Sequence, residues 1–451
     1  MGGIVMLARP MEGGPDPFPD YAEHIFDGAI PYRDFPLEYP PLALFPIVMP
    51  RVIGGVDGYA AAFLLLSIGF ALAVAFAVIR LADLGWSEAG SGTSQETVLV
   101  YTGLATAGIL LVAWRFDLYA AMFGIFAVLA VAMRHSGWAG AALGLGTMAK
   151  IFPAFLIPVF FAYYAFRRDR VGAVNLVGGF LFAVVASLAE IMIVAGPRQA
   201  LSWLSYQNRR GVEIEIVHGG LALLGDVLGG PKANIDFGFG SYEVTSALLE
   251  PLELPLLIMG VALVIGVVIA GVATFRDDVR LSGTVQPQTL ITYIVATLLV
   301  VIVTNKVLSP QYLLWLLPFV PLLRLRYSAA LLVAMVLTTI EYPLGFLQLR
   351  GLDPTMVWIL NVRNLLLVGL LIWLILPGLE LLRPRRARVR SDQSVAMLEM
   401  PPTSPAETPN INNPMARRLR WGAIRIISSA AKVTVAILAR VRPGRPSWLA
   451  R

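Results

Sequence analysis

The chain contains no cysteine, which excludes a disulfide framework, a thiolate nucleophile and any sulfur-ligated metal, and leaves the redox compartment open. Histidine is almost as scarce. His24, His135 and His218 fall in different predicted loops without the spacing of metal ligands, and each reads as structural or solvated. Only 14% of residues are charged. There is no Gly-rich phosphate loop and no dinucleotide fingerprint. The only paired aspartates, Asp277-Asp278, read as a solvated helix end. No metal and no cofactor are expected.

What remains is apolar: 57% of residues are hydrophobic, in runs at 58–82, 97–114, 118–134, 137–150, 151–167, 172–195, 253–275, 288–304, 308–324, 327–347 and 355–382. These runs predict an all-α polytopic membrane protein with about 11 spans. Several are shorter than the ~20 residues of a straight span, and Pro153, Pro158, Pro310 and Pro318 bound some of them. Broken helices of this kind are tolerated where their free backbone faces protein or a water-filled cavity. A cavity within the bilayer is therefore expected. The net charge of +6 sits in short loops and the C-terminal tail, which is the pattern of membrane topology and not of nucleic-acid binding.

The stretch 40–54 is too short and proline-rich for a span. Treating it as a re-entrant helix puts the loops with Arg134, with Arg167, Arg168 and Arg170, with Arg276 and Arg280, with Arg324 and Arg326, and the run Arg383 to Arg390 on one side. By the Lys/Arg rule that side is cytoplasmic. The predicted organisation is then a first extracytoplasmic loop at 1–57, a transmembrane bundle at 58–382 with a long outer loop at 196–252, a basic and then disordered linker at 383–415, and a basic amphipathic tail at 416–451. In that tail Arg418, Arg425, Ser428, Ser429 and Lys432 recur near helical spacing against Leu419, Ile426, Ile427, Ala430 and Val433, as suits a helix on anionic lipid. The N-terminus falls outside, yet residues 1–17 hold no signal peptide and no span to carry it across. A further span upstream, with the start codon assigned too far downstream, is the expected explanation.

The polar residues gather on the outer side. Asp16, Asp20, Glu23, Asp27, Asp34 and Glu38 lie beside Tyr21, Tyr32, Arg33 and Tyr39 in the first loop. Asp117, Lys150, Glu190 and Lys306 stand within or at the ends of apolar runs, where a charge costs on the order of 2.5–3.5 kcal/mol. Such charges tend to face a cavity and pair. Arg115 with Asp117, Lys150, and Lys306 ahead of Gln311 and Tyr312 mark three helix junctions on that face, and the long loop adds Tyr206, Arg209, Arg210, Glu213, Glu215 and His218. An enzyme that attacks an electrophile carried on a lipid phosphate needs one carboxylate as general base and cations for the departing phosphate. A second carboxylic acid is dispensable, because phosphate leaves as a stable anion.

The segment Gly28-Ala-Ile-Pro-Tyr-Arg-Asp-Phe-Pro-Leu-Glu-Tyr-Pro-Pro-Leu42 resembles the first-loop motif of the polyprenol-phosphate-mannose-dependent glycosyltransferases of family 87, in the type-C integral-membrane superfamily. Arg115-Phe-Asp117, Lys150-Ile-Phe-Pro153, Arg210-Gly-Val-Glu-Ile-Glu215, Ser309-Pro-Gln-Tyr-Leu-Leu-Trp-Leu-Leu-Pro318 and Arg363-Asn364 support it in order and spacing. The resemblance implies a type-C helix bundle and inverting transfer of mannose or a related sugar from a polyprenyl phosphate to a lipid or glycan hydroxyl at the extracytoplasmic face of the plasma membrane. It also implies an aspartate base shortly after the first span. Asp20 and Asp16 are the candidates, with Asp20 slightly favoured. Lys306 with Arg209 or Arg210 would meet the phosphate. Arg33, Asp34, Glu38 and Gln311 would contact the sugar, and Tyr32 and Tyr39 would stack on it or anchor at the interface. A lipid or solute transporter is the rival of another class, but no internal repeat is visible and the charges sit at one face rather than at mid-span. A prenyl-phosphate arabinosyltransferase is the rival of the same class.

Overall fold

The computed structural model describes residues 17–90, 92–204, 211–238, 240–305 and 307–382. Asp16, Arg209, Arg210, Lys306, the linker and the basic tail lie outside the described residues.

The chain opens with a short helix α1 (Phe18–Phe26), then a 3₁₀ turn at Pro41–Ala43 that runs into α2 (Leu44–Gly54). At ~1.5 Å per residue, α2 is far too short to cross ~30 Å of hydrocarbon. It ends where Gly55 takes a φ of 64°, a conformation that costs glycine nothing, and the chain reverses into α3 (Tyr59–Asp83), the first full-length apolar helix. The pair forms a hairpin tied by Tyr59, whose hydroxyl donates to the Ile47 carbonyl at 2.8 Å.

The apolar run at 97–114 divides at Gly108 into α4 (Ser94–Ala107) and α5 (Ile109–Trp114). Next come α6 (Asp117–Ala132), α7 (Ser136–Ala149), a 3₁₀ turn at Phe152–Leu156 with α8 (Ile157–Phe166), and the long α9 (Arg170–Val194). α7 packs on α9 through glycines. A Cβ on Gly140 would sit 1.8 Å from the Leu176 carbonyl oxygen, and one on Gly179 would sit 2.1 Å from that of Gly137. Small residues let two backbones touch where lipid offers no hydrophobic drive to associate. That contact fixes the position of Lys150, the residue after α7.

Beyond α9 lie α10 (Val217–Val227) and an antiparallel hairpin of β1 (Ala233–Gly238) and β2 (Ser241–Ser246), in which Gly238 pairs with Ser241 next to the turn and Phe237 with Tyr242 one rung further on. The all-α expectation is corrected here. Residues 211–214 pair alongside β2, with the Ile214 N–H on the Tyr242 carbonyl at 2.9 Å and the Val244 N–H on the Val212 carbonyl at 2.8 Å. The bundle closes with α11 (Leu249–Ser282), α12 (Pro287–Thr304), α13 (Leu325–Thr339), α14 (Phe346–Arg350) and α15 (Pro354–Glu380).

Among the described residues, six helical segments are long and apolar enough to cross a membrane: α3, α9, α11, α12, Leu325–Leu344 and α15. The run at 308–324 is not a continuous helix but two 3₁₀ turns, Pro310–Trp315 and Val320–Leu322. Pro310, Pro318 and Pro321 remove the donors a regular helix would need. Most of this irregular stretch is wholly buried, so the protein interior shields its backbone from lipid. α6 and α7 run antiparallel, from Asp117 to the turn at Arg134 and back to Lys150. α8 ends at Arg167 and α11 carries Arg276 and Arg280 in its last turns.

Candidate active site

At the Asp117 end of α6 the elements enclose a cavity of about 790 Å³. Its wall is built from the ends of helices and from irregular segments, where backbone breaks let side chains converge.

Asp117 is the first residue of α6 and is buried at 1% exposure. The free N–H groups and positive pole at that helix end favour a carboxylate there. Its Oδ1 accepts from Lys150 Nζ at 2.7 Å and from the Trp315 indole N–H at 2.7 Å. Three breaks therefore meet on one oxygen: the start of α6, the extended residue that ends α7, and the last residue of the 3₁₀ turn Pro310–Trp315. Trp315 is clamped between Phe152 and Tyr312, with stacked centroids at 4.2 and 4.1 Å. Lys150 is ringed by Tyr39, Phe116 and Tyr312, whose centroids lie 5.8, 5.4 and 5.3 Å from Nζ. A buried ammonium so placed is held by its carboxylate and by three negative ring faces.

The first loop enters over these rings. Phe18 of α1 lies against Phe63, Phe116 and Tyr39 at 5.9, 5.2 and 5.9 Å, and Pro17, Phe18 and Tyr21 line the cavity. Asp20 does not. It stands about 200° around the helix from Phe18 and is exposed. Glu38 and Tyr39 line the cavity. Burial, with the Glu38 carboxylate beside it, pushes the Tyr39 phenol well above its ordinary value. Tyr32, Arg33 and Asp34, expected at the sugar, are not among the lining residues. The Tyr32 hydroxyl instead donates to the Tyr39 carbonyl at 2.7 Å and fixes the bend of the loop. Arg33 and Asp34 pair with each other at the exposed surface at 2.9 Å. That bond and the Ile30 N–H hold the Asp34 carboxyl down at about 2.

The remaining expected residues Arg115, Glu213, Glu215, Gln311 and Tyr312 all line the cavity. Arg115 donates to the Tyr342 hydroxyl at 2.7 Å, and Ser309 donates to Glu213 Oε1 at 3.0 Å. Asn305 and Val307, the neighbours of Lys306, are lining residues too. Glu190, expected to face a cavity and pair, is exposed near the end of α9.

Sequence reasoning missed Glu341. It lies in the apolar run 327–347 and is wholly buried, as is Arg363 of α15. Arg363 Nη2 donates to the Glu215 carbonyl at 3.0 Å and stands 3.8 Å from Glu341 Oε2. Asn364 adds a 3.3 Å bond to the same carbonyl. Its signal was a lone acid in an apolar run followed, about twenty residues on, by a lone arginine, the pairing that intramembrane charges require. The Glu215 carboxyl is pushed well above its ordinary 4.5, first by burial and then by the neighbouring Glu341 carboxylate, against the opposing pull of Arg363.

A raised carboxyl makes the folded state the tighter proton binder. Its stabilising proton is fully present below the unfolded value of 4.5 and is lost as pH rises through the folded-state value. The wild-type protein is therefore expected to lose thermal stability as pH is raised above 4.5, and Glu215→Gln to flatten that slope. Melting curves in detergent across pH check this; parallel slopes for the two proteins would refute it.

A family model for glycosyltransferase family 87 matches residues 37–305, more than half of the chain. No curated protein matches it.

Proposed function

This chain belongs to glycosyltransferase family 87 and is a membrane glycosyltransferase, and from that premise we propose that it transfers a sugar, most simply mannose, from a polyprenyl-phosphate donor to a hydroxyl of a lipid or glycan with inversion. One observation carries the reading. The same cavity is lined by carboxylates and cations and by the apolar side chains Ile151, Phe155 and Val301, the first two more than a third exposed. An amphiphilic donor needs that combination: an apolar flank for the chain and polar groups at the phosphate and sugar.

In this mechanism the base is Asp16, covalently joined to the lining residue Pro17, and not Asp20, which projects from the opposite side of α1. Asp16 takes the proton as the acceptor oxygen attacks the anomeric carbon from the face opposite the phosphate. The C–O bond to phosphate breaks as the new one forms, and the phosphate leaves with its electron pair. Lys306, whose neighbours line the cavity, with Arg209 or Arg210, receives that charge. Lys150 and Arg115 are engaged by Asp117 and Tyr342 and shape the wall. Glu38, Glu213 and Gln311 supply groups for sugar hydroxyls. In this reading the cavity opens to the extracytoplasmic side of the plasma membrane; the arginine-bearing turns at the far ends of α6, α8 and α11 support that orientation by the Lys/Arg rule.

The test is release of polyprenyl phosphate by purified protein in lipid, supplied with radiolabelled polyprenyl-phosphate mannose and mixed membrane-lipid acceptors. Labelled product is the expected result. No product and no donor binding, with mannose and pentose donors alike, would overturn the reading and favour a transporter.

A further inference from the structure

Helix α15 buries three polar side chains, two of them wholly or nearly so, and directs all three at the main chain of one neighbouring segment. Arg363 is wholly buried, in a span where a charge is costly. Its Nη2 donates to the Glu215 carbonyl at 3.0 Å, whereas Glu341 Oε2 stands 3.8 Å away, too far for a hydrogen bond. Glu341 therefore balances the charge, and the bond itself goes to the backbone. Asn364 donates to the same carbonyl at 3.3 Å, and Asn361 donates to the Gly220 carbonyl at 2.9 Å. A Cβ on Gly220 would come within 3.1 Å of both amide side chains, so the glycine lets α10 approach this closely. The start of α10 is thus held on both sides, at Glu215 just before it and at Gly220 in its first turn.

What α15 holds is part of the cavity wall. Glu213 and Glu215 line the cavity, and neither Arg363 nor Glu341 does. Upstream, the same stretch is tied along β2 through Val212 and Ile214, and Glu213 Oε1 accepts from Ser309 at 3.0 Å. The Arg363 bond is the next anchor along the chain. A buried ion pair that served stability alone could be replaced by two apolar side chains of similar volume, because such a pair loses about as much in desolvation as it gains. A directed bond to one carbonyl is what apolar side chains cannot supply.

We propose that Arg363, balanced by Glu341, is a positioning residue for transfer: it fixes the backbone at Glu215, and through it Glu213, in the arrangement that the reaction uses. The inference rests on the glycosyltransferase reading above. Arg363 acts only through the segment it holds, since it does not line the cavity itself. Its loss should therefore loosen one stretch of wall and slow turnover without unfolding the bundle.

The experiment uses the full chain in lipid discs and the paired variant Glu341→Met with Arg363→Met, which removes both charges at similar volume and strands neither. Three quantities are read: Tm, amide hydrogen exchange over residues 212–217, and kcat with KM for the polyprenyl-phosphate donor. Tm is expected at or above that of wild type. Exchange over 212–217 should be about tenfold faster while α12 keeps its protection, and kcat should fall by about tenfold or more with donor KM within about threefold, as for a misplaced catalytic wall. Arg363→Lys keeps the charge and a donor for the one bond to Glu215, and should return kcat to within about threefold of wild type. Asn364→Leu strands no charge and loosens the same carbonyl, so it should move exchange and kcat in the same direction by a smaller factor, whether or not the paired variant folds. Wild-type kcat and exchange in these variants would overturn the inference. So would a fall in Tm with kcat per folded molecule unchanged, the mark of a purely structural pair. Exchange is read without turnover: a wild-type protein that transfers nothing would sink the transferase reading, while faster exchange in the variants would still retain Arg363 as the residue that holds this wall.

Discussion

Asp117→Ala should destabilise this protein by about 3–5 kcal/mol, the range for removing one partner of a buried ion pair. The loss arises because the other partner stays behind. Lys150 would keep its charge among Tyr39, Phe116 and Tyr312 without the carboxylate that now accepts from it, and the Trp315 N–H would lose the Asp117 oxygen to which it donates. Asp117→Asn should fall between wild type and alanine, since an amide oxygen still accepts from Trp315 but offers Lys150 no charge. Adding Lys150→Met to Asp117→Asn should recover part of the loss, as the stranded ammonium is removed. Unfolding in mixed micelles, followed by loss of tertiary signal, measures all three. If Asp117→Ala stayed within about 0.5 kcal/mol of wild type, as substitutions away from such features do, the pair would not be what holds three helix junctions together.

That pair also illustrates how far the sequence could be read. Asp117 and Lys150 drew attention because charge is expensive beside apolar runs, and cost is visible residue by residue. Their union is tertiary, because α6 and α7 must run antiparallel and the glycine contact with α9 must set α7. Trp315 stayed hidden for a related reason. It ends a proline-broken stretch that hydropathy reads as one span, and only its burial turns the break into 3₁₀ turns. The family motif at residues 28–42 joins residues that line the cavity to residues that do not. Arg33 and Asp34 are conspicuous polar neighbours and satisfy each other at the surface, whereas Glu38 and Tyr39, a few residues on, reach the cavity. The hairpin was missed because a long outer loop of mixed polarity gave no period to count, although residues 233–246 hold two short alternating stretches around Gly238 and Gly240.

The helical phase of α1 turns Asp20 away from the cavity, which supports the proposed role of Asp16 and gives the second large effect. Asp16→Asn should lower kcat by a factor on the order of 10²–10⁴, the usual contribution of a positioned general base, and should leave donor KM near wild type, because an amide retains the shape of the carboxylate and forfeits only proton acceptance. Asp20→Asn should leave both constants close to wild type. Phe18 and Ala22 are buried on one side of α1 and Tyr21 lines the cavity beside them, which leaves Asp20 facing away. Bringing Asp20 to the cavity would require α1 to roll by about half a turn and pull Phe18 from its contacts with Phe63, Phe116 and Tyr39. A reversed result, with Asp20→Asn inactive and Asp16→Asn active, would therefore mean that α1 turns over when substrate binds. A cross-link between α1 and α2, placed where Glu23 and Arg51 now meet at 2.5 Å, separates the possibilities: it should leave activity intact if Asp16 is the base and abolish it if α1 has to roll.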